Sequence, residues 1–406
     1  MVEPRILKGF RDFLPADAIA RQYAKDIIRK TFESYGFDPI ETPAIEYLET
    51  FQGNIGEDEK LFFRFEDHGG RKVALRYDQT VPTCRFVAQY QGQLTMPYKR
   101  YQIQTVWRAD KPQKGRYREF LQCDGDIFGL EQSVADAETM ALTVSLYQNL
   151  GFKKFVVKMS DRALYAGIEY PVIAAIDKLA KLGVDGVIAE IVSKGYSQEK
   201  AKEMVDRVFA LEPNQTILDI LAYLKSAGFS EEHFKFDNTL ARSFSYSTGP
   251  IWEVEVEGFT SGSVLGGERY DKLVGRFSKN DLPGTGFAMG FDRTVEAMQQ
   301  FGLIPEKRTV ADALMTIFSP EMLTDSLALA TQLRAAGINV DTYTDHQAKL
   351  KKQVGYADKK GIPFAVILGP DEKDHGTVVL KNLTSGEQRT VSRNDAADQI
   401  RTGTRR

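Results

Sequence analysis

The chain has 406 residues, 42% hydrophobic and 27% charged, with a formal net charge of −3 at pH 7. That length exceeds one ordinary core and predicts two or three domains, while the composition excludes a disordered chain. No apolar run approaches the roughly 20 residues of a spanning helix and no signal peptide opens the sequence, so a cytoplasmic protein is expected, with no membrane partner.

Two cysteines, Cys84 and Cys123, cannot build a disulfide framework or a four-thiolate site, and four scattered histidines show no ligand spacing. Both cysteines are expected as small core residues, and no protein-only metal site is expected. Charge is uneven along the chain. Residues 307–406 carry 15 Lys+Arg and 12 Asp+Glu, net +3, which leaves −6 for residues 1–306. A basic tail on an acidic body suits a polyanionic partner and equally suits ordinary solvated faces.

The first predicted element is an amphipathic helix over Ala18 to Tyr35, with Ile19, Tyr23, Ile27, Ile28 and Phe32 at helical spacing and a stop at Gly36. Phe37 to Thr42 alternates as a strand and ends at Pro43, which has no N–H to give a sheet. The runs LFFRFED, KVALRY, KRYQIQTVWR and FLQCDGDIFG read as further strands. Consecutive strands without intervening helices predict an antiparallel sheet. A helix follows over Ser133 to Leu150, then the strand FKKFVVKMS. Residues 164–235 turn helical, with VIAAIDKLAKL and EKAKEMVDRVFAL, and predict an inserted helical domain. Strands resume at IWEVEVEG and SGSVLGG, and TGFAMGFDRTVEAMQQF reads as a strand feeding a helix. The expected division is therefore a core over 1–163 and 236–305, an insert over 164–235, and a tail domain over 309–406.

Beyond the linker IPEKRT, strand and helix alternate through ADALMTIF, SPEMLTDSLALATQLRAAG, INVDTYT, HQAKLKKQVGYADKKG and IPFAVILG. Ser319 before Pro320 is a helix start and Gly337 a stop. This spacing predicts a small α/β domain with a largely parallel sheet. On the helix over Gln347 to Lys360, Leu350, Val354 and Ala357 form the predicted buried stripe. Lys349, Lys352, Lys359 and Lys360 point elsewhere, as a solvated face or a nucleic-acid contact.

Three stretches carry candidate chemistry. In WRADKPQKGRYR, residues 107–118, the cations Arg108, Lys111, Lys114, Arg116 and Arg118 surround a turn. Guanidinium forks suit phosphate oxygens. The next strand places Gln122, Asp124 and Asp126 on one face by alternation, so a cationic rim stands over an acidic floor, a design for a zwitterion beside a nucleotide. In ALRYDQTVP, Arg76, Asp78 and Thr80 are expected to alternate onto one strand face, with Asp78 suited to an ammonium group. In GTGFAMGFDR, glycines 284, 286 and 290 permit close backbone approach and Arg293 stands where a helix begins. No P-loop or dinucleotide fingerprint is present.

Taken in order, KGFRDFLP, the helix and strand ending at Pro43, VWRADKPQKGRYREFLQ, LARSFSYSTGPIWE, GGERYD, GFAMGFDR and LKKQVGYADKKGIPFAVILG resemble the class II aminoacyl-tRNA synthetases, and among them the histidyl-tRNA synthetase family, over essentially the whole chain. The resemblance implies an α+β fold: an antiparallel catalytic sheet flanked by helices, an inserted helical domain and a C-terminal α/β anticodon-binding domain. It also implies a homodimer assembled through the first of these motif regions. The implied reaction activates histidine with ATP, accompanied by Mg²⁺, to histidyl-adenylate and transfers it to tRNA(His).

Residue by residue, the resemblance assigns Arg108 to the ATP α-phosphate and substrate carboxylate, Arg116 to the ATP-contacting loop and Arg293 to adenine and the γ-phosphate side. It assigns Asp78, Thr80 and Gln122 to the histidine amino and carboxylate region and Asp126 to the imidazole, with Tyr246 also in that pocket. Arg242, in LARSFSYS, matches the histidine-specific arginine that stabilises the α-phosphate. The chain departs from the family where R-G-L-D-Y-Y is common, since Ser247 replaces the second tyrosine, and Glu268 stands where a third glycine is common. These changes fall on the imidazole pocket and leave the adenylation residues intact. Two rival readings share this fold: a regulatory subunit of ATP phosphoribosyltransferase, which lacks the anticodon domain, and an adenylating paralogue that does not charge tRNA.

Overall fold

A computed structural model describes residues 1–53, 60–112, 115–241 and 246–404. The chain divides into two compact units, one of 1–12 and 24–304, the other of 13–23 and 305–406. The helix Pro15–Ser34 contributes to both.

In the first unit the strands are β1 (Asp38–Pro39), β2 (Ile45–Tyr47), β3 (Arg64–Glu66), β4 (Lys72–Leu75), β5 (Tyr98–Trp107), β6 (Glu119–Phe128), β7 (Phe155–Asp161), β8 (Phe234–Phe236), β9 (Pro250–Val256), β10 (Leu265–Arg269) and β11 (Gly284–Gly290). Eight of them form one sheet in the order β1-β5-β6-β11-β10-β9-β7-β8. Only the two edge pairs, β1 with β5 and β7 with β8, run parallel. The other neighbours are antiparallel, as the run of strands without crossover helices predicts. A second, three-stranded antiparallel sheet has the order β2-β4-β3.

One sheet face is apolar because alternate residues of β6, β7, β9 and β11 are Leu121, Cys123, Val157, Trp252, Phe287 and Met289. The helices Val134–Asn149 and Gln215–Ser226 cover it with Met140, Leu146, Ile217 and Leu224. Phe32 stacks on Tyr101 at 5.0 Å and on Phe287 at 6.0 Å, so the second half of the first helix is part of this core. Both cysteines are buried. Within 164–235 the first three helices, Tyr170–Ile176, Leu179–Ser193 and Gln198–Phe209, bury their own cluster around Val172, Val187, Ile191 and Val205. The last helix, Gln215–Ser226, packs instead on the main core.

The structure shortens the strand expected over Phe37 to Thr42 to Asp38–Pro39, because a proline inside the run withholds a donor. It also ends β4 at Leu75 and opens a helix at Thr80 (Thr80–Tyr90), so Arg76, Asp78 and Thr80 do not share a strand face. Arg76 turns away, giving its guanidinium to the carbonyls of Thr42, at 2.6 Å, and Thr105, at 2.7 Å.

The second unit carries β12 (Ala313–Met315), β13 (Val340–Thr342), β14 (Phe364–Ile367), β15 (Thr377–Asn382) and β16 (Gln388–Ser392), in the order β13-β12-β14-β15-β16. Its first three neighbours are parallel and the last two pairs antiparallel, so half of the pairings depart from the expected largely parallel sheet. The helix Leu350–Lys360 buries Ala357 as expected, with Leu350 and Val354 half-buried. It also buries Gln353, whose amide bonds the Ile317 N–H and C=O at 2.8 Å each.

Candidate active site

The strands β5 and β6 pair in register from Tyr98↔Phe128 to Trp107↔Glu119, and the Arg108 N–H donates to the Arg118 carbonyl at 2.9 Å. This closes the mouth of the cation-bearing loop. A cleft of about 280 Å³ opens beside it. Asp78, Thr80, Arg108, Arg116, Gln122, Asp126, Tyr246 and Arg293 all line that cleft, which brings together every described residue to which the family resemblance gave a role. Arg242 lies outside the described residues, as does Lys114.

The cationic side holds Arg108, Arg116 and Arg293. Arg108 is sandwiched by aromatic rings, its guanidinium carbon 4.3 Å from the Tyr77 ring centre and 5.2 Å from that of Phe120, and its Nε donates to the Tyr77 carbonyl at 3.2 Å. Arg293 donates to the Ser263 carbonyl at 3.0 Å. Burial depresses the Arg293 pKa, and the like charges of Arg116 and Arg108 depress it further. Arg116 pairs with Asp110 at 3.2 Å. Two other cations of the loop do not join them. Lys111 is exposed and away from the lining, and Arg118 spends its guanidinium on the Asp110 carbonyl at 3.0 Å. Spacing within a turn gives no direction, so the charge pattern alone did not separate these from Arg108 and Arg116, and only the family resemblance did.

The acidic side is Asp78, Asp126 and Glu268. Burial pushes the Asp78 carboxyl up to about 6, while the Val81 N–H, at 3.2 Å from Oδ1, and Arg108 oppose that rise. Burial likewise raises Asp126, opposed by Arg100 and by Tyr270. Arg100, fully buried on β5 opposite Asp126, forms an ion pair with it, and the Tyr270 hydroxyl donates to the other carboxylate oxygen. Asp124, which alternation placed on the same face, does not line the cleft. It is buried to 1% exposure with neither oxygen hydrogen-bonded among the described residues, and burial holds its carboxyl well above the usual range. The side-chain oxygen of Gln122 also lacks a partner among the described residues. Ser247 donates its hydroxyl to Glu268, so the two positions that depart from the family pattern touch each other.

Arg100, Tyr270 and Arg11 were not singled out by the sequence. The signal for Arg100 was available in strand pairing, since it falls opposite Asp126. Arg11 of KGFRDF and Asp292 of GFDR form an ion pair at 2.5 Å. Gly9, with φ of +91°, lets the chain pass so close that a Cβ there would meet Arg118 at 2.9 Å. Among the described residues no group of three His, Cys, Asp or Glu side chains can hold a metal ion.

The Histidyl-tRNA synthetase family matches residues 9–294, and the Anticodon binding domain family matches 312–402. The chain is 37% identical to the histidine–tRNA ligase of Cytophaga hutchinsonii, covering 98% of this chain and 100% of that one. It is 37% identical to that of Rhodopirellula baltica, covering 97% and 96%. Among solved structures, the histidyl-tRNA synthetase of Nostoc sp. PCC 7120 superposes with a TM-score of 0.86 at 29% identity, over 99% of this chain and 100% of that one. A Bacillus halodurans structure described as an ATP phosphoribosyltransferase regulatory subunit/histidyl-tRNA synthetase shares the fold, with a TM-score of 0.71 at 23% identity over 87% and 97%.

Proposed function

Because the chain belongs to the histidyl-tRNA synthetase family, we infer that it is an aminoacyl-tRNA synthetase that joins histidine to tRNA, and that the cleft of Arg108, Arg293 and Asp126 is where it does so. One observation carries the placement: three mutually repelling arginines converge on the same cavity as buried carboxylates that burial has pushed toward their neutral form. A triphosphate relieves the first strain and a cationic amino acid the second.

In the first step a carboxylate oxygen of histidine attacks the α-phosphorus of ATP in line, the bond to the bridging oxygen breaks, and pyrophosphate leaves. In the second, a ribose hydroxyl at the 3′ end of tRNA attacks the adenylate carbonyl and AMP leaves. The protein's part is positioning and charge stabilisation. Arg108, fixed by Tyr77 and Phe120, meets the α-phosphate and the substrate carboxylate. Arg116 and Arg293 hold the outer phosphates, with Arg293 also against adenine. Asp78, Thr80 and the unpaired Gln122 oxygen receive the α-ammonium, and Asp126 the imidazole. Arg242 is assigned to the α-phosphate on sequence resemblance alone. Mg²⁺ would arrive with ATP and neutralise part of its phosphate charge.

The second unit is proposed to bind the anticodon stem, and the protein to act as a homodimer in the cytoplasm. No helix among the described residues is long and apolar enough to cross a membrane. The anticodon-domain match over 312–402 weighs against a purely regulatory subunit. Pyrophosphate exchange with each of the twenty amino acids, beside tRNA charging, tests the reading. Histidine is expected to lead in exchange and to be transferred. Exchange led by another amino acid, or exchange without charging, would sink it.

A further inference from the structure

Glu268, Gly286 and Asp126 stand in one row across three adjacent strands, since β10 pairs Glu268 with Gly286 and β11 pairs Gly286 with Asp126. Residues paired in register share a sheet face, and all three line the cleft. Two carboxylates therefore flank a position that has no side chain, their Cα atoms two strand spacings or roughly 10 Å apart. The missing side chain makes room for the Asp126 carboxylate, which lies against the glycine. A Cβ on Gly286 would fall 2.0 Å from Asp126 Oδ1 and 2.5 Å from the Gly125 carbonyl.

Each carboxylate is set as an acceptor. Asp126 receives the Tyr270 hydroxyl and faces Arg100, and a carboxylate has about four lone-pair sites, so room remains for another N–H. Glu268 receives the Ser247 hydroxyl. Both acids are buried. A neutral imidazole has one N–H and one lone pair. Between two carboxylates one of its nitrogens would turn a lone pair toward an anion, whereas the imidazolium offers an N–H to each side.

We propose that Glu268 determines specificity together with Asp126 by holding the substrate's ring between the two carboxylates as the imidazolium, so that this site takes histidine in its ring-protonated form. The proposal rests on the reading of the cleft as a histidine-activating site and adds the protonation state that it selects.

Other charged groups face the same cleft: Asp78, before the helix Thr80–Tyr90, adds to the two flanking acids, Arg100 pairs with Asp126, and Arg108, Arg116 and Arg293 line the cationic side. Tyr246 meets Tyr270 edge-on at 6.3 Å, and the buried Cys84 thiol also faces Asp126. Burial pushes the Cys84 and Tyr270 groups well above their ordinary values, which keeps both neutral.

The test uses the full-length protein and calorimetry of histidine binding at pH 7.5 in buffers of different ionisation heat. With a ring pKa of about 6.5, roughly 0.9 of free histidine is neutral there, so uptake near one proton per histidine is expected. In Glu268→Gln, whose amide can serve a neutral ring, uptake near zero is expected with ATP affinity unchanged. In exchange assays the histidine KM is expected to rise about eightfold from pH 7 to pH 8 for the parent protein, and less than about twofold for Glu268→Gln. A second measurement needs no variant: 2-fluorohistidine, whose ring stays neutral at this pH, should compete at least tenfold more weakly than histidine. No proton uptake by the parent protein, equal uptake by both proteins, or equal competition by the analogue would each overturn the proposal. Loss of all histidine-dependent exchange in the parent would overturn the functional reading beneath it.

Discussion

The Arg11 guanidinium reaches the Asp292 carboxylate at 2.5 Å while lying 3.3 Å over the Tyr117 ring, so a residue near the start of the chain clips the cation loop to the turn that carries Arg293. Asp292 Oδ2 also accepts the Leu121 N–H at 2.9 Å. Arg11→Ala is expected to raise the ATP KM several-fold and leave the histidine KM within about twofold, with a stability cost on the order of 1–3 kcal/mol from the weakened carboxylate. Steady-state exchange and chemical denaturation measure both. A change confined to the histidine KM would contradict this placement.

Arg108 is held by two rings before any ligand arrives, a donor that needs no reorganisation during reaction. Loss of one preorganised donor costs on the order of 3 kcal/mol, about a hundredfold in rate. Arg108→Ala and Arg242→Ala are each expected to lower pyrophosphate exchange by that factor or more, and near-normal exchange in either would refute its assignment.

Asp126→Ala should raise the histidine KM sharply with ATP affinity little changed. The buried pair adds a second consequence. Removing one member leaves the Arg100 charge uncompensated, a loss of about 3–5 kcal/mol, so this variant should also unfold at lower denaturant. Unchanged stability would mean that Arg100 does not depend on Asp126.

The raised Asp78 carboxyl predicts that histidine binding is sensitive to acid. Its folded pKa of about 6 lies above the unfolded value, so the group adds stability to the free protein as pH falls from about 6 toward 4, and that contribution is lost as pH rises through the window. Binding an ammonium needs the opposite state. The histidine KM is therefore expected to climb as pH drops below about 6, and Asp78→Asn should raise the KM and flatten that acid limb. A KM that is flat from pH 5 to 6.5 in the parent protein would remove Asp78 from the ammonium site.

On the helix Leu350–Lys360, Lys352 pairs with Asp345 and Lys360 with Asp341, while Lys349, Lys351 and Lys359 are exposed without an ion pair among the described residues. Reversing those three charges to Glu should raise the tRNA KM, reduce the salt dependence of charging by about one unit of slope per lysine, and spare pyrophosphate exchange. Unaltered charging would return these lysines to the role of a solvated face.

Motif residues were legible because their chemistry is unusual where it stands: Arg108 just past the end of β5, Arg293 in the first turn of the helix Phe291–Gln300, and Asp126 inside the buried β6. What supports them was not. Arg100 alternates with Lys99 and Tyr101 in a strand that reads as partly exposed, and only the register with β6 shows it fully buried against an acid. Alternation misplaced Arg76 and Asp124 for different reasons. The first lies just past the end of its strand, and the second, though on the right face, stays behind the cavity wall. In the tail unit, β15 and β16 went unpredicted because the short buried run Val378 to Leu380 does not alternate and QRTVS is mostly polar, and the hairpin they form adds the antiparallel half of the sheet.

The convergence of Arg108, Arg116 and Arg293 also sets how the folded chain responds to heat. Held together without an anion, these charges favour any state that lets them part, so the free protein is expected to melt earliest in dilute buffer. An occupant of the cavity removes that penalty and adds its own mass-action term, about 2.7 kcal/mol at a hundredfold excess over its dissociation constant. Nucleotide supply is then expected to lengthen the protein's lifetime as well as to set its turnover, with ATP slowing proteolysis of the folded chain.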